Sequence, residues 1–385
     1  MIAIKKVESR KQLKEFIRFN YFLYKDNTYA VPDFLEDMLD TFNRRKNAAF
    51  EFCEADLFMA YRDGKLVGRV AAIINHKANK TWNVRNVRFG WIDFVDDIEV
   101  AKALLTTVEQ WGRERGMTKI VGPLGFTDMD PEGMLTDGFD QLSTFSSSYN
   151  YPYYPKHLEA LGFEKEVDWV ERKVMVPTDD HAHDGNYEKY MRVAEMSRKR
   201  YNLHVRKFKT HKEIIHADNG QYIHKVFDVV NKAYAPLYGY SEMNERQIDQ
   251  YAKTYLQFLD LRLLTVVENE DNQPIAMGVG MGSLSRALQK AHGKLFPFGW
   301  WHLLKSVYIK HEPVLDLLLV AVHPDYQMKG VNALLFADII PIAKEMGFEW
   351  GETHVQLETN EKSQGQWQYL DCSIHKRRRC FQKTL

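Results

Sequence analysis

The stretch Val322–Phe336, VHPDYQMKGVNALLF, places Gln327, Lys329 and Gly330 at the predicted start of a helix, where they could bind a phosphate. An apolar run ends at a His-Pro pair, and Gln327, Met328, Lys329 and Gly330 then lead into an apolar-faced helix. Free backbone N–H groups and the positive end of a helix dipole meet at such a point. Gly330 would let an anion approach the backbone closely, and Lys329 would add a positive charge. An ordinary capped helix start has the same pattern, so these residues alone leave both interpretations open.

A second set of polar side chains alternates along the strand predicted after this helix, EWGETHVQLE. Alternation places Glu352, His354, Gln356 and Glu358 on one side of that strand. A central strand of an α/β sheet is normally apolar on both faces, so a polar row is unusual there. Glu352 or His354 could accept a proton during the acylation of an amine, directly or through water. The alternative is a sheet end that opens to solvent.

Two successive series of predicted elements position these residues, and both have the same order. Each series contains a hairpin, a further strand and an amphipathic helix, and the first hairpin turns at Asp63-Gly64. The polar segment between the series, VPTDDHAHDGNYE, has the composition of a linker. We therefore predict an α/β fold with two tandem domains, each a mixed β-sheet flanked by helices. The expected boundaries are a first domain over 1–178, a linker over 179–186, and a second domain over 187–385 with an insertion at about 285–312.

Composition excludes several classes of function. The chain has 385 residues, which suggests two domains, and its formal net charge is zero, so no overall field would attract nucleic acid. Three cysteines, Cys53, Cys372 and Cys380, are too few for a disulfide framework, and no motif places Cys372 or Cys380 as a nucleophile. The N-terminal stretch has no apolar signal core, and no run approaches the ~20 apolar residues of a membrane helix. The few, scattered cysteines favour a reducing cytoplasm. His181 and His183 lack partners at ligand spacing, so no metal site is expected.

The segment around Gly330 resembles the coenzyme-binding core of GNAT-type N-acyltransferases, the acyl-CoA N-acyltransferase superfamily. The similarity lies in a strand, the pattern V-x-P-x-Y-Q-x-x-G-V, a helix, a second strand and then ETN. The resemblance implies that the coenzyme A pyrophosphate is held by the loop Gln327, Met328, Lys329, Gly330, Val331 and Asn332. It also implies further coenzyme contacts along the preceding strand and at a downstream asparagine, which fall on Leu319, Val320, Ala321, Val322 and Asn360. Coenzyme A, as acetyl-CoA or another acyl-CoA, would then be the cosubstrate.

Two positions depart from the family pattern. Asn332 stands where the family has Gly or Ala, which would narrow the last turn of the phosphate loop. Trp367 occupies the position of the tyrosine that often protonates the leaving thiolate, and an indole cannot supply that proton. Tyr369 lies nearby, although out of register, and is a candidate acid.

The whole chain is also similar to a narrower, largely uncharacterised group of tandem GNAT-like bacterial proteins. This resemblance extends over most of both halves and is carried by stretches such as YKDNTYAVPDFLEDMLD, GPLGFTDMDPEGMLTDGFD and KLFPFGWWHLLK. Where a phosphate loop would stand in the first half, the sequence has Asp96, Asp97 and Glu99, which would repel a pyrophosphate. Only the second half is therefore expected to bind coenzyme A, and the first is interpreted as a degenerate copy that shapes the acceptor site.

Two further segments have an unusual composition. From Ser285 to His311 there is no Asp or Glu, but there are five Lys or Arg residues and a cluster of Phe and Trp. This segment could be a packed cover with inward aromatic side chains, which we favour, a lid over the substrate, or a membrane-surface helix. The acidic loop DMDPEG, with Asp128 and Glu132, lacks the last ligand of a calcium loop. If this loop leans over the cleft between the halves, it could hold a cationic amine.

The residues and the resemblance together predict an acyl-CoA-dependent N-acyltransferase that acetylates a primary amine of a small molecule or peptide. The amine would attack the thioester directly, with Glu352, His354 and Tyr369 as candidate catalytic residues. A non-catalytic acyl-CoA binder or sensor is one alternative, because of Trp367 and Asn332. A Fem-like transferase that uses aminoacyl-tRNA is another, supported only by the basic run KRRR. No other nucleic-acid partner is expected, and the oligomeric state is open.

Overall fold

The computed structural model describes residues 1–177 and 185–385. Residues 179–184 of the expected linker, 179–186, lie outside the described residues, and these include His181 and His183. The elements of the first half are β1 Ile2–Lys6, α1 Arg10–Leu23, α2 Leu35–Thr41, β2 Cys53–Arg62, β3 Lys65–Asn75, α3 His76–Thr81, β4 Asn86–Phe94, α4 Ile98–Arg113, β5 Lys119–Gly122, β6 Met134–Asp137, α5 Tyr153–Ala160 and β7 Glu164–Met175.

The second half repeats this alternation of strands and helices. Its elements are α6 Gly185–Arg200, β8 His204–Arg206, α7 His211–His216, α8 Tyr222–Tyr234, α9 Glu245–Tyr255, β9 Leu264–Glu268, β10 Pro274–Gly282, α10 Ser285–Lys290, α11 Gly299–Tyr308, β11 Val314–Val322, α12 Val331–Glu345, β12 Trp350–Thr353, β13 Gln356–Leu357, α13 Glu361–Gly365 and β14 Cys372–Thr384.

All of these strands belong to one mixed sheet, which has 14 strands. The order is β1-β2-β3-β4-β5-β14-β7-β12-β11-β10-β9-β8, with β13 paired to β7 and β6 paired to β14. Helices cover both faces: in the second half, Val266 and Met277 pack with α8, whereas their neighbours Val267 and Ala276 pack with α12. The predicted fold class, an α/β protein with mixed sheets flanked by helices, is confirmed.

The two halves exchange their last strands at the centre of this sheet. Strand β14 lies between β5 and β7 of the first half, with Phe381 opposite Gly122. Strand β7 in turn pairs with β12 of the second half, with Lys173 opposite Glu352. Each half therefore completes the sheet of the other, and the sheet runs without a break from one half to the next. The domain boundary expected at 178 stays a prediction.

Local signals in the sequence account for the elements of the first half. Asp63 and Gly64 both have positive φ, 49° and 78°, as the predicted hairpin turn between β2 and β3 requires. The carboxylate of Asp97 accepts a hydrogen bond of 3.0 Å from the Glu99 N–H and caps α4. The predicted apolar face of α4 is buried; it consists of Val100, Leu104, Leu105, Val108 and Trp111.

The strand predicted over 349–357 is interrupted in the structure. Strand β12 ends at Thr353, and β13 begins at Gln356 and pairs with β7 alone. Glu352 is buried in β12, whereas Glu358 is exposed beyond β13. The prediction of a single polar row is therefore wrong, because the strand breaks after Thr353: β12 and β13 both pair with β7, but only β12 also pairs with β11.

No helix among the residues that the structure describes is long and apolar enough to cross a membrane.

Candidate active site

The adjacent strands β11 and β12 separate halfway along β11. They pair in parallel only from Val314–Leu317 to Trp350–Thr353. The last backbone bond between them runs from the His354 N–H to the Leu317 carbonyl, at 3.1 Å. Strand β11 continues to Val322, so a gap opens beside its last residues.

A cavity of about 480 Å³ occupies this gap and extends between the two halves. Its volume lies within the ~300–1,000 Å³ typical of small-molecule sites. The second half contributes the end of β11, the start of α12, β13, and helices α8 and α9, and the first half contributes the loop that contains Asp128 and Glu132. The wall formed by α8, α9 and the residues that follow is apolar and includes Ile223, Val226, Phe227, Leu256 and Leu259.

Most residues of the expected coenzyme set line this cavity. They are Leu319, Val320, Ala321, Val322, Gln327, Met328, Val331, Asn332 and Asn360. The ladder with β10 pairs Val320 with Gly278 and Val322 with Ala276, and His323 donates its N–H to the Ile275 carbonyl at 2.8 Å. Because hydrogen-bonding direction alternates along an antiparallel ladder, the backbone groups of Val320 and Val322 face the gap.

Side chains hold this exposed edge of β11 in place. The Tyr234 hydroxyl donates to the Val320 carbonyl at 3.1 Å, and the Gln327 amide donates to the Val322 carbonyl at 3.1 Å. The Gln327 oxygen accepts a bond of 3.0 Å from the Lys362 ammonium. Lys362, which belongs to no recognisable motif in the sequence, therefore brings a positive charge to the cavity wall beside the predicted phosphate loop.

The described residues that line the cavity do not include Lys329 or Gly330. The Lys329 ammonium lies over the rings of Tyr201 and Tyr326, 5.1 and 5.2 Å from their centroids. Gly330 has a φ of 75°, and a Cβ at this position would be 2.9 Å from Cγ1 of Val193 on α6. Gly330 thus serves close packing between α12 and α6 as well as the turn itself.

The three candidate catalytic residues lie in different surroundings. His354 lines the cavity at the point where the strands separate, and burial lowers the pKa of its imidazole. Glu352 is buried behind the cavity wall in an ion pair with Lys376. Tyr369 packs against Tyr190, with ring centroids 6.0 Å apart, and does not line the cavity. Of the three candidate catalytic residues, only His354 lines the same cavity as the expected coenzyme residues.

Trp367 lies in the cavity wall and is almost fully buried. Its indole N–H donates to the Gln356 side-chain oxygen at 2.9 Å. This bond occupies its only donor, so Trp367 acts as a fixed apolar wall.

The acidic loop DMDPEG of the first half borders the cavity, which is the position considered for it in the sequence. Asp128 and Glu132 both line it, and burial raises the pKa of each carboxyl. Asp128 also accepts a bond of 3.2 Å from the Ser241 N–H. Asp130, whose pKa burial raises to about 7, instead caps the loop by accepting from the Thr127 N–H at 3.0 Å.

Within residues 1–177 and 185–385, no group of three or more His, Cys, Asp or Glu side chains could hold a metal ion. The cysteines are unpaired, and burial raises the pKa of Cys372 and Cys380. Neither thiol lines the cavity among the described residues, which agrees with the absence of a nucleophile motif.

Comparisons with known proteins place this geometry in a structural class. No protein-family model matches the sequence. "Protein YghO" of Escherichia coli (strain K12) is 24% identical over 388 aligned residues, covering 98% of this chain and 94% of the relative. "Bacterial ceramide synthase" of Caulobacter vibrioides (strain NA1000 / CB15N) is 25% identical over 358 residues, covering 92% and 89%.

Solved structures show the same fold at low identity. A tandem GNAT protein from the clavulanic acid biosynthesis pathway superposes with a TM-score of 0.54 at 11% identity, covering 100% of this chain and 98% of that one. A GCN5-related N-acetyltransferase from Sphaerobacter thermophilus gives a TM-score of 0.51 at 9% identity, covering 100% and 95%. The chain has the tandem GNAT fold, and the expectation drawn from the resemblance is confirmed at the level of fold.

Proposed function

We propose that this protein is an acyl-CoA-dependent N-acyltransferase whose reaction takes place in the cavity between the halves. The observation that carries the proposal is the position of His354. It lies where β11 and β12 separate, in one cavity with the expected coenzyme residues of the second half and with Asp128 and Glu132 of the first.

The coenzyme would lie along the open edge of β11. The backbone N–H groups of Val320 and Val322 can donate to an extended amide chain such as pantetheine, as a neighbouring strand would. The two carbonyls already accept from Tyr234 and Gln327. The first turn of α12 presents backbone N–H groups beside Asn332, and Lys362 adds a positive charge, which together suit a pyrophosphate. On this proposal the second half is the coenzyme-binding domain.

The acceptor would be an amine held by the acidic loop. A carboxyl pair whose pKa is raised by burial is stabilised in its ionised form when a cation binds beside it, so Asp128 and Glu132 favour an ammonium ligand. This assigns the first half the role of shaping the acceptor site.

An acceptor that binds as an ammonium first passes one proton to the carboxylate of Asp128 or Glu132 beside it, and the neutral amine then needs a second proton acceptor. The amine nitrogen would attack the thioester carbonyl carbon, so that a C–N bond forms and the C–S bond breaks. His354 would take the amine proton at a ring nitrogen, because its lowered pKa keeps it neutral near pH 7. The coenzyme A thiolate can leave without a proton donor, since the pKa of an ordinary thiol is only about 8.5. Trp367 in place of a tyrosine is compatible with this route.

The apolar wall extends the proposal to the acyl group. An acetyl group is the smallest that the expected reaction would transfer, and it would leave the surface of α8 and α9 in contact with water. A longer hydrocarbon chain would bury that surface, which is favourable. A relative named a bacterial ceramide synthase fits the same direction, because a ceramide is an N-acylated lipid amine. We therefore propose that acyl-CoA thioesters longer than acetyl-CoA are preferred.

Turnover by the full chain tests this proposal. Acetyl-, octanoyl- and palmitoyl-CoA are incubated with a panel of short and long-chain amines, and the amide product is measured by mass spectrometry. The His354→Gln variant should lose ~10²-fold or more of kcat, the scale of general-base removal, with coenzyme A affinity nearly unchanged. His157→Gln, which removes a partly buried imidazole that is paired with Asp96 and lies outside the cavity, is the control. Full turnover by His354→Gln would contradict the assignment.

One observation favours a second candidate, a non-catalytic acyl-CoA binder. Trp367 supplies no proton and seals one wall of the cavity. This candidate predicts tight acyl-CoA binding by calorimetry without amide product from any amine. The aminoacyl-tRNA alternative loses its sequence support, because all four basic residues of KRRR are paired with carboxylates.

A further inference from the structure

The insertion between β10 and β11 presents an unusual surface, which we call the basic aromatic surface and define as residues 285–311. Phe296 and Phe298 are 76% and 73% exposed. Five more large apolar side chains are exposed beside them, namely Trp300, Trp301, Leu304, Tyr308 and Ile309. The favoured prediction of a packed cover with inward aromatic side chains is therefore wrong.

Helix α11 exposes its large apolar side chains and buries its small residues. Trp300, Leu304 and Tyr308 follow one another at a spacing of four residues and form its outward face. The inward face carries small residues: Gly299 and Ser306 are buried, and the Ser306 hydroxyl donates to the Ser283 carbonyl at 3.4 Å. A surface helix of a water-soluble protein normally turns its large apolar side chains toward the core and its polar side chains toward the solvent.

Contacts with the first half fix the base of this surface. The Gln289 amide donates to the carbonyls of Thr28 and Ala30, at 3.0 and 2.8 Å. The Leu35 N–H donates to the Gly293 carbonyl at 2.9 Å. The exposed side chains therefore project from an anchored scaffold.

The charges on the surface all have one sign. Its basic residues are Arg286, Lys290, Lys294, Lys305 and Lys310, and no Asp or Glu lies between 285 and 311. None of the five forms an ion pair within 4.0 Å among the described residues; the Glu312 carboxylate, just outside the surface, accepts from the backbone N–H of Arg286 and attracts the charges of Arg286 and Lys290. Lys294 lies over the Tyr21 ring, 5.7 Å from its centroid.

We propose that the basic aromatic surface docks the protein on an anionic lipid bilayer, with α11 lying in the headgroup region. Exposed Trp, Phe and Leu beside Lys and Arg are the composition of interfacial helices, and the positive charge complements anionic headgroups. Aromatic rings with one polar edge are suited to that depth.

Two other occupants fit the surface less well. A lid over substrate would have to reach the cavity, but none of residues 285–311 lines it. A second copy of this chain, related by a two-fold axis, would bring the same five positive charges against each other. Membrane docking does not depend on the proposed function, since it requires neither coenzyme nor turnover.

Vesicle flotation with the purified full chain tests this proposal. The protein should float with vesicles of phosphatidylcholine and phosphatidylglycerol, and float less with phosphatidylcholine alone or at high salt. The double variants Phe296→Ser/Phe298→Ser and Lys305→Glu/Lys310→Glu should each lower the partition coefficient by about 10-fold or more. Both pairs are exposed, so melting temperatures should be unchanged.

Matched controls alter the same chemistry elsewhere on the surface. Met196→Ser removes an apolar side chain that is 70% exposed, and Lys102→Glu/Lys156→Glu reverses two exposed charges. These variants should float like the parent.

Tryptophan fluorescence gives a second measurement. Quenching of this fluorescence by brominated lipids should be weaker in the double variant Trp300→Phe/Trp301→Phe than in the parent.

Three outcomes would overturn the proposal. The first is no flotation with either kind of vesicle. The second is flotation that neither double variant weakens. The third is a concentration-dependent dimer in sedimentation that Phe296→Ser/Phe298→Ser dissociates, without any binding to vesicles.

Discussion

The Lys376 ammonium on β14 lies 3.4 Å from the Glu171 carboxylate on β7 and forms a second ion pair with Glu352 on β12. All three side chains are buried. Arg378 on β14 forms a further buried ion pair with Glu171. Burial alone would raise the pKa of Glu171, but Arg378 and Lys376 lower it to about 2. This network joins the strands that the two halves exchange.

Removal of Lys376 should strongly destabilise the protein. Lys376→Met leaves two buried carboxylates without one of their cations, and breaking a buried ion pair in this way typically costs about 3–5 kcal/mol of unfolding free energy. Arg377→Met is the matched control on the same strand, because Arg377 and its partner Glu358 are partly exposed, and it should cost about 0–1 kcal/mol. Urea denaturation of the full chain measures both; equal losses would contradict the buried network.

Substitution of Gly330 should lower stability through packing with α6. Gly330→Ala adds a Cβ 2.9 Å from Val193 in a residue with positive φ, whereas Gly347→Ala has the same kind of φ, 80°, and meets nothing within 4 Å. Both variants should lose about 1 kcal/mol from the backbone, and Gly330→Ala should lose more because of the contact. Melting curves compare the two. Equal losses for the two variants would show that the contact with Val193 is easily relieved.

Removal of Lys362 should weaken coenzyme A binding more than removal of Lys329. Lys362 lines the cavity, whereas the Lys329 ammonium is held over two tyrosine rings. Loss of one partly screened charge, worth about 1 kcal/mol, corresponds to about 5-fold in affinity. Calorimetric titration of Lys362→Ala and Lys329→Ala at low and high salt measures this, and the Lys362 effect should shrink with salt. The reverse ranking would assign the phosphate contact to Lys329.

Stability should fall as pH rises because of Asp316. Its carboxyl is buried opposite Glu352 on the neighbouring strand, and burial, followed by the charge of Glu352, raises its pKa well above the ordinary value. The folded protein keeps this proton at pH values where the unfolded chain, with a pKa of about 3.9, has lost it, so ionisation favours unfolding. Asp316→Asn should remove up to about 1.4 kcal/mol of this decline per pH unit.

Denaturation between about pH 5 and about pH 8 measures that slope. Asp271→Asn, in an exposed turn, is the control and should keep the parental slope. An unchanged slope in Asp316→Asn would mean that Asp316 is ionised in the folded protein.

Local periodicity predicted the alternation of strands and helices and, with it, the fold class, but it did not show the break in the strand after Thr353. Alternation made His354 one of several candidates, although the continuous polar row on which it rested is interrupted, and the sequence suggested that the DMDPEG loop could face a cleft. It did not identify Lys362 or the wall of α8 and α9, because nothing local shows which distant segments meet at a cavity. The partners of Lys376 and Arg378 were hidden for the same reason: four adjacent basic residues resemble a solvated run until the neighbouring strands are known.

The orientation of the insertion was also beyond the sequence. Aromatic and basic residues at helical spacing describe a two-sided helix, and burial of the aromatic side is the usual outcome. In α11 the outcome is reversed because the face toward Ser283 carries Gly299 and Ser306, and these small residues allow close contact with the scaffold. Only the tertiary structure shows which face that contact occupies.

The exchange of β7 and β14 has a consequence for the order in which the chain can fold during its synthesis. Strand β5 needs β14 as its neighbour, and the Lys383 ammonium on β14 reaches Glu109, which is 274 positions earlier in the chain. A ribosome therefore releases most of the polypeptide while β5 still has an unpaired edge, which is a risk for aggregation. We expect the nascent first half to depend on chaperones or to stay incompletely structured until the second half emerges, so that both halves reach their native state in one late step.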